Sequence, residues 1–308
     1  MSRLGIRRRL VGALAAGCAL PLLPAVATPS VRRLSTVEAQ SRLAALEAKA
    51  GGRLGVFVLD TGSGLGLAHR GGERFGLCST FKLPLAAVIL REHAAGRLDG
   101  HAPIALASTP TVPHAPAVEA ARAAGRTHLS ALELARATQT TSDNVAANLL
   151  LDLLGGPARF TALLRGLGDE VTRLDRYETE MNRVGPDELR DTSTPQAMAR
   201  LTARLFGPGL LDASSQRVLA HWMVETRTGL QRLRAGLPAD WRAGDKTGTA
   251  LIPGLSNRHN DVAVTWPPQR PPVVIAGYYE ADGHYPVMRA EDDAVLAEVG
   301  GLVRAWLG

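Results

Sequence analysis

The chain has 308 residues, of which 45% are hydrophobic and 21% charged: the balance of an ordinary globular protein, long enough for one large domain or two lobes sharing cores. Its formal net charge of +6 does not point to nucleic acid. Four arginines and no acid fall in the first 27 residues, whose loss lowers the charge to +2, and the remaining arginines are interspersed with acids.

Residues 1–27 read as an export signal: basic through Arg9, apolar from Leu10, and closing on Ala25-Val26-Ala27, a small-residue cleavage site. Arg7-Arg8-Arg9-Leu10 also suits a twin-arginine exporter, and Ala15-Ala16-Gly17-Cys18 is a weaker, lipoprotein-like alternative. Pro21 and Pro24 argue against a membrane anchor. The expectation is a periplasmic or secreted monomer, residues 28–308, free of the membrane after cleavage. Cys18 leaves with the signal, so Cys78 remains as a free packing thiol with no disulfide partner.

Ser35-x-x-Glu38 is a capping box that opens a periodic helix to about Ala50, ended by Gly51-Gly52. Strands follow at 53–60 and 65–70, joined through Thr61-Gly62-Ser63-Gly64 as a hairpin. A helix then starts near Ser79. It is apolar on nearly every side through Leu90, the mark of a central helix, and Pro84 predicts a mild kink. From about 79 to 226 helical patterns alternate with Gly and Pro breaks and few strand signals. Strands at 241–249, 261–266 and 272–280 and an amphipathic helix at 290–307 close the chain. The expected fold is α/β of the α+β type: an antiparallel sheet flanked by terminal helices, from 28–78 and 227–308. An all-helical lobe, 79–226, is inserted in it, with a site in the cleft between them.

Lysine usage points to chemistry. Only Lys49, Lys82 and Lys246 occur among 35 basic residues, and two of the three sit in motifs. An ammonium can give up a proton when desolvated and a guanidinium cannot, so lysine is kept where a proton moves. Ser79-Thr80-Phe81-Lys82 puts a hydroxyl and an amine three residues apart at a helix start, within hydrogen-bond reach, where the helix N-terminus favours charge on the serine oxygen. Ser142-Asp143-Asn144 begins a second helix and Lys246-Thr247-Gly248-Thr249 lies on a late strand. Each alone reads as a cap or a polar strand edge. The ordered set of three does not. No C-x-x-C, H-E-x-x-H or G-x-S-x-G occurs and the eight histidines lack ligand spacing, so no metal or cofactor is expected and an α/β-hydrolase is disfavoured.

With these three motifs in this order, the chain resembles a class A serine β-lactamase of the penicillin-binding protein superfamily over nearly all of residues 28–308. The resemblance implies acylation of Ser79 by a β-lactam, with Lys82 or Glu178 as the base, and hydrolysis of the acyl-enzyme. Arg176-Tyr177-Glu178-Thr179-Glu180-Met181-Asn182 is similar to the family's omega loop, so Glu178 and Asn182 match the pair that holds the deacylating water, and Arg176 and Asp191 the ion pair at the loop base. Ser142 matches the proton relay, Asn144 the amide that binds the substrate side chain, and Lys246 a cation supporting both. Thr247, Gly248 and Thr249 match substrate contacts, with the backbone N–H groups of Ser79 and Thr249 as the oxyanion hole.

Arg232 resembles a carboxylate-supporting arginine of some members; its alternative is a surface arginine beside Arg234. His114 resembles an aromatic gate. The sequence departs from the family pattern at Thr179, where proline is frequent, at Ala250, where some relatives carry a cysteine that pairs with the equivalent of Cys78, and in a long 251–260 segment. The rival reading is a D,D-peptidase-like enzyme or a penicillin-sensing domain that acylates without turnover.

Overall fold

The computed structural model describes Met1 and residues 33–308; the export segment and its Ala25-Val26-Ala27 site lie outside the described residues. Helix α1 (Thr36–Ala50) opens with the capping box in place. Ser35 Oγ accepts from Glu38 N at 3.2 Å, and Glu38 Oε2 accepts from Ser35 N at 2.9 Å. Gly51 and Gly52 follow at positive φ, and a Cβ at Gly52 would lie 2.1 Å from Glu280 O, so only glycine allows the chain to turn into the sheet here.

Strands β1 (Arg53–Asp60) and β2 (Gly66–His69) form the expected hairpin. After β3 (Phe75–Gly76) comes a 3₁₀ turn, Cys78–Phe81, and then α2 (Lys82–Ala94). This corrects the expectation of an α-helix from Ser79. Pro84 falls in the first turn of α2, where an N–H would have no intrahelical partner, so it removes no helix bond. The next elements are β4 (Pro103–Ala105), α3 (Pro116–Ala123), β5 (His128–Ser130), α4 (Ala131–Thr140), α5 (Asn144–Leu154) and α6 (Pro157–Gly166). They are followed by β6 (Thr192–Ser193), α7 (Pro195–Phe206), α8 (Ala213–Glu225) and the short α9 (Leu233–Gly236). Strands β4 and β5 pair with each other, and β3 with β6. At two or three residues apiece these ladders are too short for alternation to show in the sequence.

Strands β7 (Arg242–Ala250), β8 (Arg258–Trp266) and β9 (Val273–Glu280) complete a five-stranded antiparallel sheet of order β2-β1-β9-β8-β7, and α10 (Ala290–Leu307) closes the chain. Strand β8 begins three residues earlier than its apolar run predicts, so the expected 251–260 loop shrinks to 251–257. The sheet is buried on both faces. Leu54, Val56, Val58, Ala263, Val273 and Ile275 join α1, α9 and α10 in one core, while Phe57, Val262, Val264, Val274 and Ala276 join the helices of the other. Each of the Leu, Val, Ile and Phe side chains among these contributes about 1.5–3 kcal/mol when fully buried. Helix α7 packs on β1 and β9, and α8 along β7.

Candidate active site

Strand β7 is the edge of the sheet nearest the nucleophile motif. At Gly248 it meets the 3₁₀ turn so closely that a Cβ would lie 2.9 Å from Cys78 Cβ and 3.0 Å from Ser79 N. Glycine is required there by contact rather than by φ. The free edge of β7 is capped by side chains: Gln139 Nε2, from α4, donates to Asp245 O at 2.9 Å, and Lys246 Nζ, from the strand itself, donates to Thr247 O at 2.7 Å. Strand alternation puts the Thr249 N–H on that same edge, beside Ser79.

Helix α2 delivers Lys82 directly behind Ser79. Its Nζ lies 3.0 Å from Ser79 Oγ, 2.8 Å from Ser142 O and 3.0 Å from Glu178 Oε1, and it also donates to Asn144 Oδ1. An ammonium has three protons for these four oxygens, so the group is held by competing acceptors. Burial lowers the Lys82 pKa and the Glu178 carboxylate opposes that shift. Ser79 Oγ donates to Glu178 Oε1 at 3.1 Å. Burial pushes the Cys78 thiol up to about 12, which keeps it protonated and unreactive, as its packing role predicts.

Glu178 is held from three directions. Asn182 Nδ2 donates to its Oε2 at 2.8 Å. Asn148, on α5, accepts from Glu178 N at 3.0 Å and donates to Glu178 O at 2.9 Å. Arg176 and Asp191 pair at 2.5 Å at the loop base, where Asp191 O also accepts from Leu77 N at 2.9 Å. The Glu178–Thr179 peptide bond is cis. Asn148 is a residue the sequence reading passed over; a polar side chain within the apolar run Val145-Ala146-Ala147-Asn148-Leu149-Leu150 was its only signal.

The second motif divides its labour. Asp143 is the cap of α5, accepting from Ala146 N at 2.8 Å, and it also accepts from Ala117 and Val118 N at 3.0 Å on α3. Ser142, freed from capping and at φ 59°, accepts a hydrogen bond from Lys246 Nζ at 3.0 Å. Cys78 and His114 are also at positive φ, so three of the unusual backbone positions surround the site. Burial, and then repulsion from Lys82, lowers Lys246 to about 7.

These groups converge as the motif order implies. The family model for the Beta-lactamase enzyme family matches residues 38–307. Beta-lactamase AST-1 of Nocardia asteroides is 45% identical, over 98% of this chain and 96% of its own. The carbapenem-hydrolyzing beta-lactamase KPC of Klebsiella oxytoca is 42% identical, over 86% of this chain and 87% of its own. A solved class A beta-lactamase, described as the last common ancestor of Gram-negative bacteria, superposes with a TM-score of 0.81 at 45% identity. It covers 88% of this chain and 99% of its own. The chain belongs to the class A serine β-lactamases. It is a hydrolase of β-lactams.

In this β-lactamase Arg232 is not a surface arginine. It is only 2% exposed, and its guanidinium donates to Gly248 O at 3.1 Å, Asn260 O at 2.8 Å, Thr249 Oγ1 at 2.7 Å and Asp293 Oδ1 at 2.8 Å. Burial would raise Asp293, but the His259 hydrogen bond and the charge of Arg232 hold its carboxyl below the usual range. Thr247 Oγ1 donates to Thr228 Oγ1 at 2.7 Å. Asn144 places Oδ1 on Lys82 and donates one Nδ2 hydrogen to Pro113 O at 2.8 Å. His114 is exposed; its ring contacts Thr141 O at 3.0 Å and its carbonyl accepts from Asn144 N at 3.0 Å, so it borders the Ser142–Asn144 wall of the β-lactamase site. Behind β7, burial raises both Asp245 and Asp261, and Asp261 well above the usual range.

Proposed function

We propose that this β-lactamase works through a Ser79 acyl-enzyme cleared by water that Glu178 activates. Ser79 Oγ attacks the β-lactam carbonyl carbon as its proton passes to Lys82 or Glu178. The C–N bond breaks, and the ring nitrogen takes a proton through Ser142, which Lys246 orients. Water then attacks the ester, giving one proton to Glu178 while the ester C–O bond breaks and Ser79 regains its hydrogen. The N–H groups of Ser79 and Thr249 receive the oxyanion in both halves.

The observation that carries this reading is the Glu178 carboxylate, with one oxygen 3.1 Å from Ser79 Oγ and the other 2.8 Å from the Asn182 amide. Asn182 Oδ1 is buried and has no hydrogen-bond partner among the described residues, which suits an acceptor for water. On this reading Arg232, Thr249 and Thr247 meet the substrate carboxylate, and Asn144 and His114 its side chain. The expected outcome is β-lactam resistance in a periplasmic or secreted monomer. No helix among the described residues is long and apolar enough to cross a membrane.

Glu178→Ala tests the mechanism. With a chromogenic cephalosporin it should give one stoichiometric burst and an acyl adduct on Ser79, visible as a mass increase of the intact protein. Steady turnover at the wild-type rate would remove Glu178 from the reaction. A burst without turnover in the wild type would favour the D,D-peptidase-like alternative.

A further inference from the structure

A cavity of about 700 Å³ among the described residues has none of Ser79, Lys82 and Lys246 in its lining. It is lined by the 184–189 segment and by Arg53, Glu280 and Arg258. Those three form a single cross-strand row: Arg53 is opposite Glu280, and Glu280 is opposite Arg258. Glu280 accepts from Arg53 at 2.8 Å on one oxygen and from Arg258 Nε at 3.1 Å on the other.

Arg258 also has an outward task. It is 5% exposed, and its two terminal nitrogens leave the sheet to donate to Asn182 O, at 3.2 Å, and to Val184 O. Every arm of the guanidinium is therefore used, one on its own sheet and two on the chain that has just passed Glu178. A Cβ at Gly76 would lie 3.2 Å from Arg258 Nε, so the guanidinium lies against the strand that enters the nucleophile turn. Two residues on, Asn260 Nδ2 donates to Gly76 O at 2.8 Å and Leu77 O at 3.2 Å. The start of β8 thus spans the two backbones whose spacing sets the distance from Ser79 to the Glu178–Asn182 pair.

We infer that Arg258 is a positioning residue for deacylation: it fixes the Asn182 and Val184 carbonyls so that the Asn182 amide stays on the Glu178 carboxylate. This inference rests on the acyl-enzyme reading above. A guanidinium is needed because its planar fork bonds two carbonyls and a carboxylate at once, and an ammonium cannot reproduce that geometry. Releasing the carbonyls lets the amide drift while Ser79, in the 3₁₀ turn, and Lys82, at the start of α2, keep their contact. Deacylation should therefore suffer and acylation should not.

The test uses the full mature enzyme with Arg258→Gln, Arg258→Lys and, as a control on the same charge row, Arg53→Gln. For Arg258→Gln, kcat and KM should fall together by about ten-fold or more while kcat/KM stays within about two-fold, and acyl-enzyme should accumulate by intact mass. Arg258→Lys, which keeps the charge beside Glu280 and is expected to fold if the glutamine variant does not, should show a smaller effect of the same kind. Arg53→Gln should turn over as the wild type does.

Unchanged kinetics in Arg258→Lys and Arg258→Gln would overturn the inference. So would a fall in kcat and kcat/KM together without acyl-enzyme, or an equal slowing in Arg53→Gln, since both mark general loosening of the sheet. If Glu178→Ala accumulates acyl-enzyme and Arg258→Gln does not, only the positioning role falls. If neither does, the deacylation reading beneath it falls too.

Discussion

At Lys246 the fold takes an ammonium out of water, and burial followed by repulsion from Lys82 brings its pKa to about 7. The resemblance makes Lys246 a cation supporting Ser142 and Asn144; its setting makes that charge conditional. If it must be charged to meet a substrate carboxylate, kcat/KM should fall as pH rises through about 7, because kcat/KM reports the free enzyme. Lys246→Arg, whose guanidinium stays charged, should move that limb upward, and a wild-type profile flat between about pH 6 and 9 would sink the idea. The sign for stability is the reverse. Between the folded value of about 7 and the ordinary lysine value of 10.5 the unfolded chain holds the extra proton, so this group's contribution to stability rises with pH across that window. Lys49, by contrast, is an exposed residue near the end of α1, paired with Glu298 at 3.1 Å.

Among the elements, those with strong local signals match their sequence reading to within a residue or two: α1 by its capping box, β1 and β2 by the glycine turn, α10 by its amphipathic stripe. Helix α9 had no such signal. Four residues long, it exists because it docks on α10 at backbone contact: a Cβ at Gly300 would lie 2.2 Å from Leu233 O, and one at Gly236 would lie 2.0 Å from Ala297 O. Gly300→Ala should therefore destabilise the protein by roughly 1–3 kcal/mol, read from its thermal midpoint. It should also raise KM for carboxylate-bearing substrates, because Arg232 immediately precedes Leu233. Gly301→Ala is the contrast. Its Cβ would meet nothing nearer than 3.9 Å, so helix propensity should leave stability unchanged or improved. Equal losses in both variants would show that the α9–α10 contact is not the cause.

For the molecule as a whole, the described fold begins at the sheet lobe's outer helices, with Leu34 N donating to Ala305 O at 2.8 Å and Leu34 buried in that core. If residues 1–27 are an export signal, N-terminal sequencing of the exported protein should begin at Thr28, and protein expressed from Thr28 should match it in thermal midpoint and turnover. An exported protein that retains Met1 would overturn the signal reading.

The sequence alone determined the reaction class, because Ser79-x-x-Lys82, Ser142-Asp143-Asn144 and Lys246-Thr247-Gly248 carry their chemistry in residue type and short spacing. It also determined most helices and strands, whose periodicity is local. Only the tertiary structure decided what depends on distant backbones meeting. It buried Arg232 under Gly248 and Asn260, put Asn148 on both sides of the Glu178 peptide, and turned Arg258 from a loop residue into a strand residue gripping the Asn182 carbonyl. The physical reason is that these are hydrogen bonds from side chains to main-chain groups 16 to 76 positions away. A carbonyl carries no residue identity, so no pattern of side chains announces which one will be its donor.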